Sequence, residues 1–141
     1  AAATYRTILI KRTTEIAMPF HFTLNNVGNV LLSGSYDGVD TANADSAAAV
    51  NDGNAHIAVQ NHPINGPHNF YLDGPLEEEK SEAGVTPTGN TESVEIGSDS
   101  SISRYFLGDV MEIILYDRFL NTLEVRKINQ YLANKYGRAI T

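Results

Sequence analysis

The fold is decided by a stretch in the last third of the chain, residues 105–118, which reads YFLGDVMEIILYDR. Its density of β-branched and aromatic residues is typical of a strand, so we expect the longest strand of the protein here. Met111, Ile113 and Leu115 share one face at period two, which places Ile114 on the other face. Because Ile114 is also apolar, we expect the C-terminal helix or a partner to cover that second face.

The residues that follow predict a single C-terminal helix over about 122–136. Asn121 stands three positions before Glu124, close to the spacing of a capping box. Gly137 occupies a position where helices commonly end with a left-handed residue. One apolar stripe runs along the helix, formed by Val125, Ile128, Leu132 and Tyr136. A helix with one apolar stripe must lie against a sheet.

Upstream of this stretch the chain alternates between short apolar runs and turn residues. The predicted strands cover Thr7–Lys11, Thr14–Phe22, Val30–Ser33, His56–Gln60, Asn69–Gly74 and Ser93–Ser98. Residues 35–52 and 77–90 are predicted to be solvated loops, because they are polar and rich in turn-forming residues. Many short strands with frequent turns favour an antiparallel β-sandwich. The length of 141 residues fits a single domain over 1–141.

Composition excludes several function classes. The net charge is −7 and adjacent basic residues occur only as the pairs Lys11-Arg12 and Arg126-Lys127, so we expect no nucleic-acid partner. No apolar run approaches the length of a membrane helix, so we expect no membrane insertion. The absence of cysteine removes disulfides and thiol chemistry without fixing the compartment. The first residues show no signal core and no Met, so we expect the chain to be processed or cut from a larger polypeptide.

Four motifs together resemble the laminin G-like, concanavalin A-like lectin/glucanase superfamily. They are DGxxHxAV at 52–59, FYLDG at 70–74, VxIG at 94–97 and FxGDVxEIILYDRxL at 106–120. The resemblance covers residues 5–137, including a closing helix that looks like the one at the end of many members. It implies an all-β fold, an antiparallel two-sheet jelly-roll sandwich with one C-terminal α-helix packed on it.

The chain departs from the family pattern at two points. Family domains are usually longer, and the strands that would precede Thr7–Lys11 are missing from the pattern. An open sheet edge is normally covered, so we expect another chain, another segment of the parent polypeptide or a symmetry mate to complete the sheet near Thr7–Lys11. The protein would then be an oligomer or part of a larger assembly. The second departure is Ala55, where the family often has an aromatic residue or a second histidine.

Some members of the superfamily are glucanases, which need two carboxylates across the scissile bond. The family carries them as Glu-x-Asp-x-Glu or Glu-x-Asp-x-x-Glu, and the nearest match is residues 107–112. Leu107 replaces the first glutamate, while the odd spacing of Asp109 and Glu112 places them on opposite faces of a strand. We therefore predict no catalytic residues and no enzymatic activity.

Two metal sites are conceivable. His56, His62 and His68 recur every six residues, but no Cys or close His pair supports zinc, and His56 is better explained as a hydrogen-bonded strand residue. Calcium is the cofactor that the resemblance implies. The candidate ligands in the predicted loop are Asp37, Asp40, Asp45 and Asp52. The alternative is a solvated loop that uses Asp and Asn as turn formers.

Glycan recognition requires exposed aromatic rings and polar groups for sugar hydroxyls. The candidates are Tyr36, Asp37, Asn43, Tyr71, Asp99 and Tyr105. The alternative is that these tyrosines fill the periphery of the core, and the chain has no Trp as a stacking platform.

Two function classes therefore remain. One is a non-catalytic module that recognises protein or glycan on an extracellular or particle surface. The other is a structural protein whose role is contact itself, such as a virion (capsid) decoration protein. Both place the chain outside the cell, on its surface or on a virion, and we predict binding and assembly rather than catalysis.

Overall fold

The computed structural model describes residues 5–12, 17–27, 29–37, 41–63, 66–80 and 89–140. These ranges contain ten strands and one helix. The elements are β1 (Tyr5–Lys11), β2 (Met18–Asn25), β3 (Val30–Tyr36), β4 (Thr41–Ala49), β5 (Ala58–Asn61), β6 (His68–Leu72), β7 (Leu76–Lys80), β8 (Val94–Ile96), β9 (Ser98–Asp99), β10 (Arg104–Tyr105) and α1 (Thr122–Tyr136).

The larger sheet is antiparallel, with the strand order β4-β3-β2-β1-β8. β1 pairs with β2 along its length and with β8 through Leu9, Ile10 and Lys11. The strand at Thr7–Lys11 therefore lies inside the sheet, with a neighbour on each side. The prediction of an open edge at this strand is wrong, because β8 from the second half of the chain occupies that edge.

The smaller sheet is also antiparallel, with the order β5-β6-β7, and it packs on one face of the larger sheet. All five residues of β6 are buried. Phe70 and Leu72 pack against Leu31 and Ala44 of the larger sheet, and the Phe22 and Phe70 ring centroids are 6.5 Å apart. This contact is the core of the sandwich.

The other face of the smaller sheet carries the helix. Tyr71 points away from the sandwich core and packs with Leu120 and Val125. The helix spans Thr122–Tyr136, the predicted range, and its capping box is formed by Asn121 and Glu124. Gly137 ends it in the left-handed conformation, at φ 65° and ψ 29°. Among the described residues, no helix has the length and apolar character needed to cross a membrane.

The predicted fold class, an antiparallel two-sheet sandwich with a C-terminal helix packed on it, is confirmed. Two predicted loops are corrected. Residues 41–49 form β4, in which Ala42, Ala44 and Ser46 are buried and alternate with exposed residues. Residues 76–80 form β7, and residues 81–88 lie outside the described ranges. Both strands were missed because alanine and glutamate are poor strand formers, and their pairing with β3 and β6 overrides that preference.

The largest correction concerns the stretch at 105–118. Only Arg104–Tyr105 pairs as a strand, with β9, and the N–H of Phe106 adds a bond of 2.9 Å to the carbonyl of Gly97. Within the described residues, no backbone segment is hydrogen-bonded to residues 107–117. The predicted longest strand is wrong because a strand requires a neighbouring strand, and the described part of the chain places none beside these residues.

Candidate functional site

The most unusual surface of the protein is an exposed run of apolar side chains at Leu107–Phe119, which we name the apolar segment. Leu107 is 75% exposed, Leu115 57% and Met111 53%. Seven large apolar residues of the segment are exposed, namely Leu107, Val110, Met111, Ile114, Leu115, Tyr116 and Phe119. Scattered apolar residues on a surface are ordinary, but a contiguous group of this size marks a contact site.

Exposure varies along the apolar segment without a strict period of two. Val110 and Ile114 are each 38% exposed, less than Leu107, Met111 and Leu115. Glu112 and Ile113, which are neighbours in sequence, are both partly buried. The helix α1 contacts the segment at Glu112 and covers only part of it.

Glu112 attaches the apolar segment to the helix. Its carboxylate accepts hydrogen bonds from Lys135 Nζ at 3.0 Å, Tyr136 Oη at 2.9 Å and Tyr131 Oη at 3.3 Å. The hydrogen bonds from Lys135 and Tyr136 hold the pKa of Glu112 below its ordinary value. Glu112 is therefore an ion-paired anion at neutral pH, which is the wrong protonation state for the general acid of a glycosidase.

The C-terminal end of the apolar segment is anchored more firmly. The Asn61 side chain donates to the Leu120 carbonyl at 2.7 Å and accepts from the Leu120 N–H at 3.1 Å. Both residues are 5% exposed. The Arg118 guanidinium contacts the Glu124 carboxylate at 2.8 Å. This contact and the hydrogen bond from the Asn121 N–H together lower the pKa of Glu124 to about 2. The segment is thus attached to α1 through Glu112 in its middle and to Asn61 at its C-terminal end, and, within the described part of the chain, residues 107–117 have no backbone partner.

A polar site, separate from the apolar segment, lies where the turn after β6 meets the residues following α1. His56 Nδ1 is 2.8 Å from Asp73 Oδ2, and His56 Nε2 is 3.1 Å from Asp52 Oδ1. Asp73 also accepts from the Ile57 N–H at 2.9 Å and from Arg138 at 3.1 Å. We name these four side chains, His56, Asp52, Asp73 and Arg138, the ionic cluster. They border a pocket of about 370 Å³ that includes Leu72 and Pro75.

The ionic cluster is built to hold chain segments together. Burial opposes ionisation of Asp73, but the bonds from Ile57, His56 and Arg138 outweigh it and lower the pKa of this carboxyl. The side chain and N–H of Asn54 lower the pKa of Asp52, with a further contribution from His56. Both imidazole nitrogens of His56 already contact carboxylates, so neither is free for a substrate or a metal. The motif DGxxHxAV therefore has a structural explanation.

Two of the three histidines considered for zinc lie together, since the ring centroids of His62 and His68 are 5.2 Å apart. His62 Nδ1 is 2.9 Å from Ser35 Oγ, and His68 Nε2 is 2.9 Å from Ser33 Oγ, between the two sheets. His56 belongs to the ionic cluster instead. In the ranges that the structure describes, no group of three or more His, Cys, Asp or Glu side chains is arranged to hold a metal ion.

The four calcium candidates are placed as follows. Asp45 is exposed on β4, and Asp52 belongs to the ionic cluster. Asp37 follows the end of β3 and is partly buried, while Asp40 lies outside the described residues. The prediction of a loop at 35–52 is replaced by strand β4, so the described aspartates do not share one loop.

Two of the six glycan candidates are buried. Tyr71 is 8% exposed and packs beneath the helix, so its ring cannot stack on a sugar. Asp99 is 1% exposed, lies 3.3 Å from Arg12 Nε, and accepts from Ser101 Oγ at 2.6 Å. Residues 70–72, Phe-Tyr-Leu, form a continuous apolar run with no polar face, which is typical of a strand buried on both sides, and that signal could have excluded Tyr71.

The other four glycan candidates lie nearer the surface. Tyr36 and Asp37 are partly buried at the end of β3, and Asn43 is exposed on β4 near the same end. Tyr105 is 59% exposed on β10. Asn61, which anchors the apolar segment, was missed because nothing in the sequence links it to Leu120, 59 positions away.

The chain is similar to a known protein family and, more distantly, to a solved structure. A crystal structure of an S-layer domain-containing protein from Clostridium thermocellum (residues 221–444) matches at 14% identity with a TM-score of 0.41. The match covers 78% of this chain and 55% of that one, so this chain spans about half of its length. The search of curated proteins found no match. A laminin G family model, described as the concanavalin A-like lectin/glucanases superfamily, matches residues 1–126. The chain therefore belongs to the concanavalin A-like lectin/glucanase superfamily.

Proposed function

We propose that this protein is a non-catalytic module that binds and assembles through protein contact on an extracellular or cell surface. The observation that carries the proposal is the apolar segment, whose side chains are exposed and whose backbone is unpaired within the described residues. Exposed apolar side chains favour contact with another apolar surface, and unpaired N–H and C=O groups favour a partner that can hydrogen-bond to them.

The chemistry of the segment argues against catalysis. The superfamily contains both binding domains and glucanases, so membership alone does not decide between them. Leu107 occupies the place of one glucanase carboxylate, and Glu112 is committed to Lys135 and Tyr136. A protonated carboxyl facing a second carboxylate, as retaining and inverting glycosidases require, is not formed by these residues.

Glycan recognition is the second candidate, favoured by the exposed ring of Tyr105 and by family membership. Protein contact is preferred because the burial of Tyr71 and Asp99 removes two of the six predicted sugar contacts. Neither the family nor the geometry supports the virion location considered from the sequence. We therefore propose an extracellular or cell-surface location.

Retention on cell envelopes of the source organism tests the proposal. The domain would be fused to a fluorescent reporter and compared with a triple variant, Leu107→Ser, Met111→Ser and Leu115→Ser, and with Tyr105→Ala. We expect retention that is lost after protease treatment of the envelopes and in the triple variant, but that is kept in Tyr105→Ala.

Two other outcomes would overturn the proposal. Retention that resists protease and is lost after periodate oxidation, or in Tyr105→Ala, would assign the protein to glycan recognition. Equal retention of the wild type and the triple variant would show that the apolar segment is not the contact surface.

A further inference from the structure

We propose that the partner of the apolar segment is a second copy of this chain, paired antiparallel about Met111. The proposal rests on the proposed function, since it names the partner of the same surface. Two-fold symmetric pairing of antiparallel strands requires one residue to face its own copy, and the sequence and exposure of the segment select which residue that is.

The three most exposed side chains of the segment are spaced symmetrically. Leu107, Met111 and Leu115 are 75%, 53% and 57% exposed, and each is four residues from the next. In an extended chain all three would share one face, because their spacing is even, together with the partly buried Ile113. Pairing about Met111 therefore places Leu107 of each copy opposite Leu115 of the other, with the two Met111 side chains between them.

Charge discriminates among the registers. Pairing about Glu112 would place two carboxylates directly opposite each other, and pairing about Ile113 would place Asp109 opposite Asp117. Like charges in directly opposed positions destabilise a strand pair. Pairing about Met111 places Asp109 opposite Ile113 and Glu112 opposite Val110, so no charged residue within 107–115 faces a like charge.

The backbone and the helix are compatible with this pairing. Within the described residues, the N–H and C=O groups of 107–117 have no backbone partner, so a second strand can bond to them without displacing one. Among the residues that the structure describes, one side chain bonds to a carbonyl in this range, Tyr136 through its Oη to Met111 at 3.3 Å. Glu112 contacts α1 from the face opposite to Met111, so the helices of both copies lie on the same side of the new strand pair.

The exposed area is sufficient for a dimer. Seven apolar residues with exposed fractions from 38% to 75% present about 700 Å² per copy, if each fully exposed residue offers roughly 200 Å². Two copies would bury at most about 1,400 Å² in total, near the lower limit of the range for specific and stable interfaces. We therefore expect a dimer that dissociates on dilution.

Disulfide trapping tests the register, because the natural chain has no cysteine. Directly opposed residues on paired strands have Cβ atoms close enough for a disulfide, so Met111→Cys should form a covalent homodimer under mild oxidation. Leu107→Cys alone should not cross-link. An equimolar mixture of Leu107→Cys and Leu115→Cys should give the mixed dimer. Val27→Cys, at an apolar position that is 55% exposed in the β2–β3 turn, is the matched control.

Sedimentation of the natural chain gives the independent measurement. We expect a monomer–dimer equilibrium whose dissociation constant rises by at least about tenfold in Met111→Lys, because this change places two ammonium groups opposite each other. Circular dichroism and thermal unfolding would show that Met111→Lys remains folded.

The outcomes separate the two proposals. A natural chain that stays monomeric at high concentration, or a Met111→Cys variant that cross-links no faster than Val27→Cys, overturns pairing with a second copy. Protease-sensitive envelope retention that still depends on Leu107, Met111 and Leu115 would, in that case, leave the proposed function standing with a different partner.

Discussion

Strand β6 and the apolar segment are similar in sequence and opposite in structure. Both are rich in aromatic and aliphatic residues, and the sequence predicts a strand in each. β6 has β5 and β7 on its two edges, a sheet against one face and the helix against the other, and all five of its residues are buried. The apolar segment has the helix against part of one face only. Apolar residues therefore need contact partners, and the tertiary fold determines whether the same chain provides those partners.

The largest expected effect contrasts one side chain from each region. Phe70 is fully buried in the sandwich core, so Phe70→Ala should lower the free energy of unfolding by about 3–5 kcal/mol. Leu107→Ala should change it by less than about 0.5 kcal/mol, because Leu107 is 75% exposed. Urea unfolding of both variants, below the concentration at which the protein associates, measures the difference. Equal losses would show that the apolar segment belongs to the core.

The second prediction concerns His21, a buried histidine that should make the stability of the folded protein depend on pH. Burial, together with nearby Arg104 and Arg12, lowers the pKa of His21 to about 4. Between the unfolded value of about 6.5 and this value, the unfolded chain binds a proton that the folded chain does not, so stability falls as the pH falls. We expect His21 to account for a loss of about 3 kcal/mol between pH 7 and pH 4, with full stability above pH 6.5.

Urea unfolding at a series of pH values, for the natural chain and His21→Gln, measures this contribution. The variant should show a shallower pH dependence in that range. Some dependence should remain, because burial also lowers the pKa of His62. An NMR titration of His21 with a midpoint near 6.5 in the folded protein would contradict the assignment.

Asn61→Ala tests the boundary between the two regions. The change leaves the buried N–H and C=O groups of Leu120 without partners, so the free energy of unfolding should fall by about 2 kcal/mol. Hydrogen exchange around residues 118–121 should also accelerate. Asn134→Ala, on the exposed face of the helix, removes an amide of the same size and should have almost no effect. Similar losses in both variants would refute the anchoring role of Asn61.

The smallest expected effect is that of Glu112→Gln. The variant keeps the shape of the side chain but removes the charge that faces Lys135, so it should release the apolar segment from the helix with little change in global stability. Backbone NMR order parameters of residues 108–116 in the dilute monomer should fall, and they should depend less on salt than in the natural chain. Glu92→Gln, at an exposed position outside this contact, is the control. Unchanged order parameters in Glu112→Gln would show that Glu112 does not hold the segment.

Local signals were sufficient for the helix. Asn121, Glu124 and Gly137 are close in sequence to the residues that they cap, and the observed helix has the predicted bounds. The sandwich class also followed from short runs and turns, because it depends on many elements rather than on one. β4 was missed because its buried face is made of Ala42, Ala44 and Ser46, which do not resemble a strand in sequence.

Strand pairing and side-chain burial at the candidate site could not be predicted from local sequence signals. Thr7–Lys11 was predicted to be an open edge, and it is an interior strand because β8 is contributed from more than 80 residues away. Residues 105–118 were predicted to contain the longest strand, but 107–117 are largely exposed and have no strand partner in the described part of the chain. Asn61 and Leu120 are likewise joined only by the fold. These outcomes depend on contacts between residues that are far apart in the chain, and local residue patterns do not predict such contacts.

Amide hydrogen exchange of residues 107–117, measured against β6, tests the central claim most directly. In the Met111→Lys variant, kept dilute, we predict near-unprotected exchange across 107–117 and strong protection of 68–72. In the natural chain, 107–117 should gain protection as the protein concentration rises. Protection of 107–117 as strong as that of β6 in the dilute monomer would contradict the claim, because it would show that this chain itself supplies the missing strand.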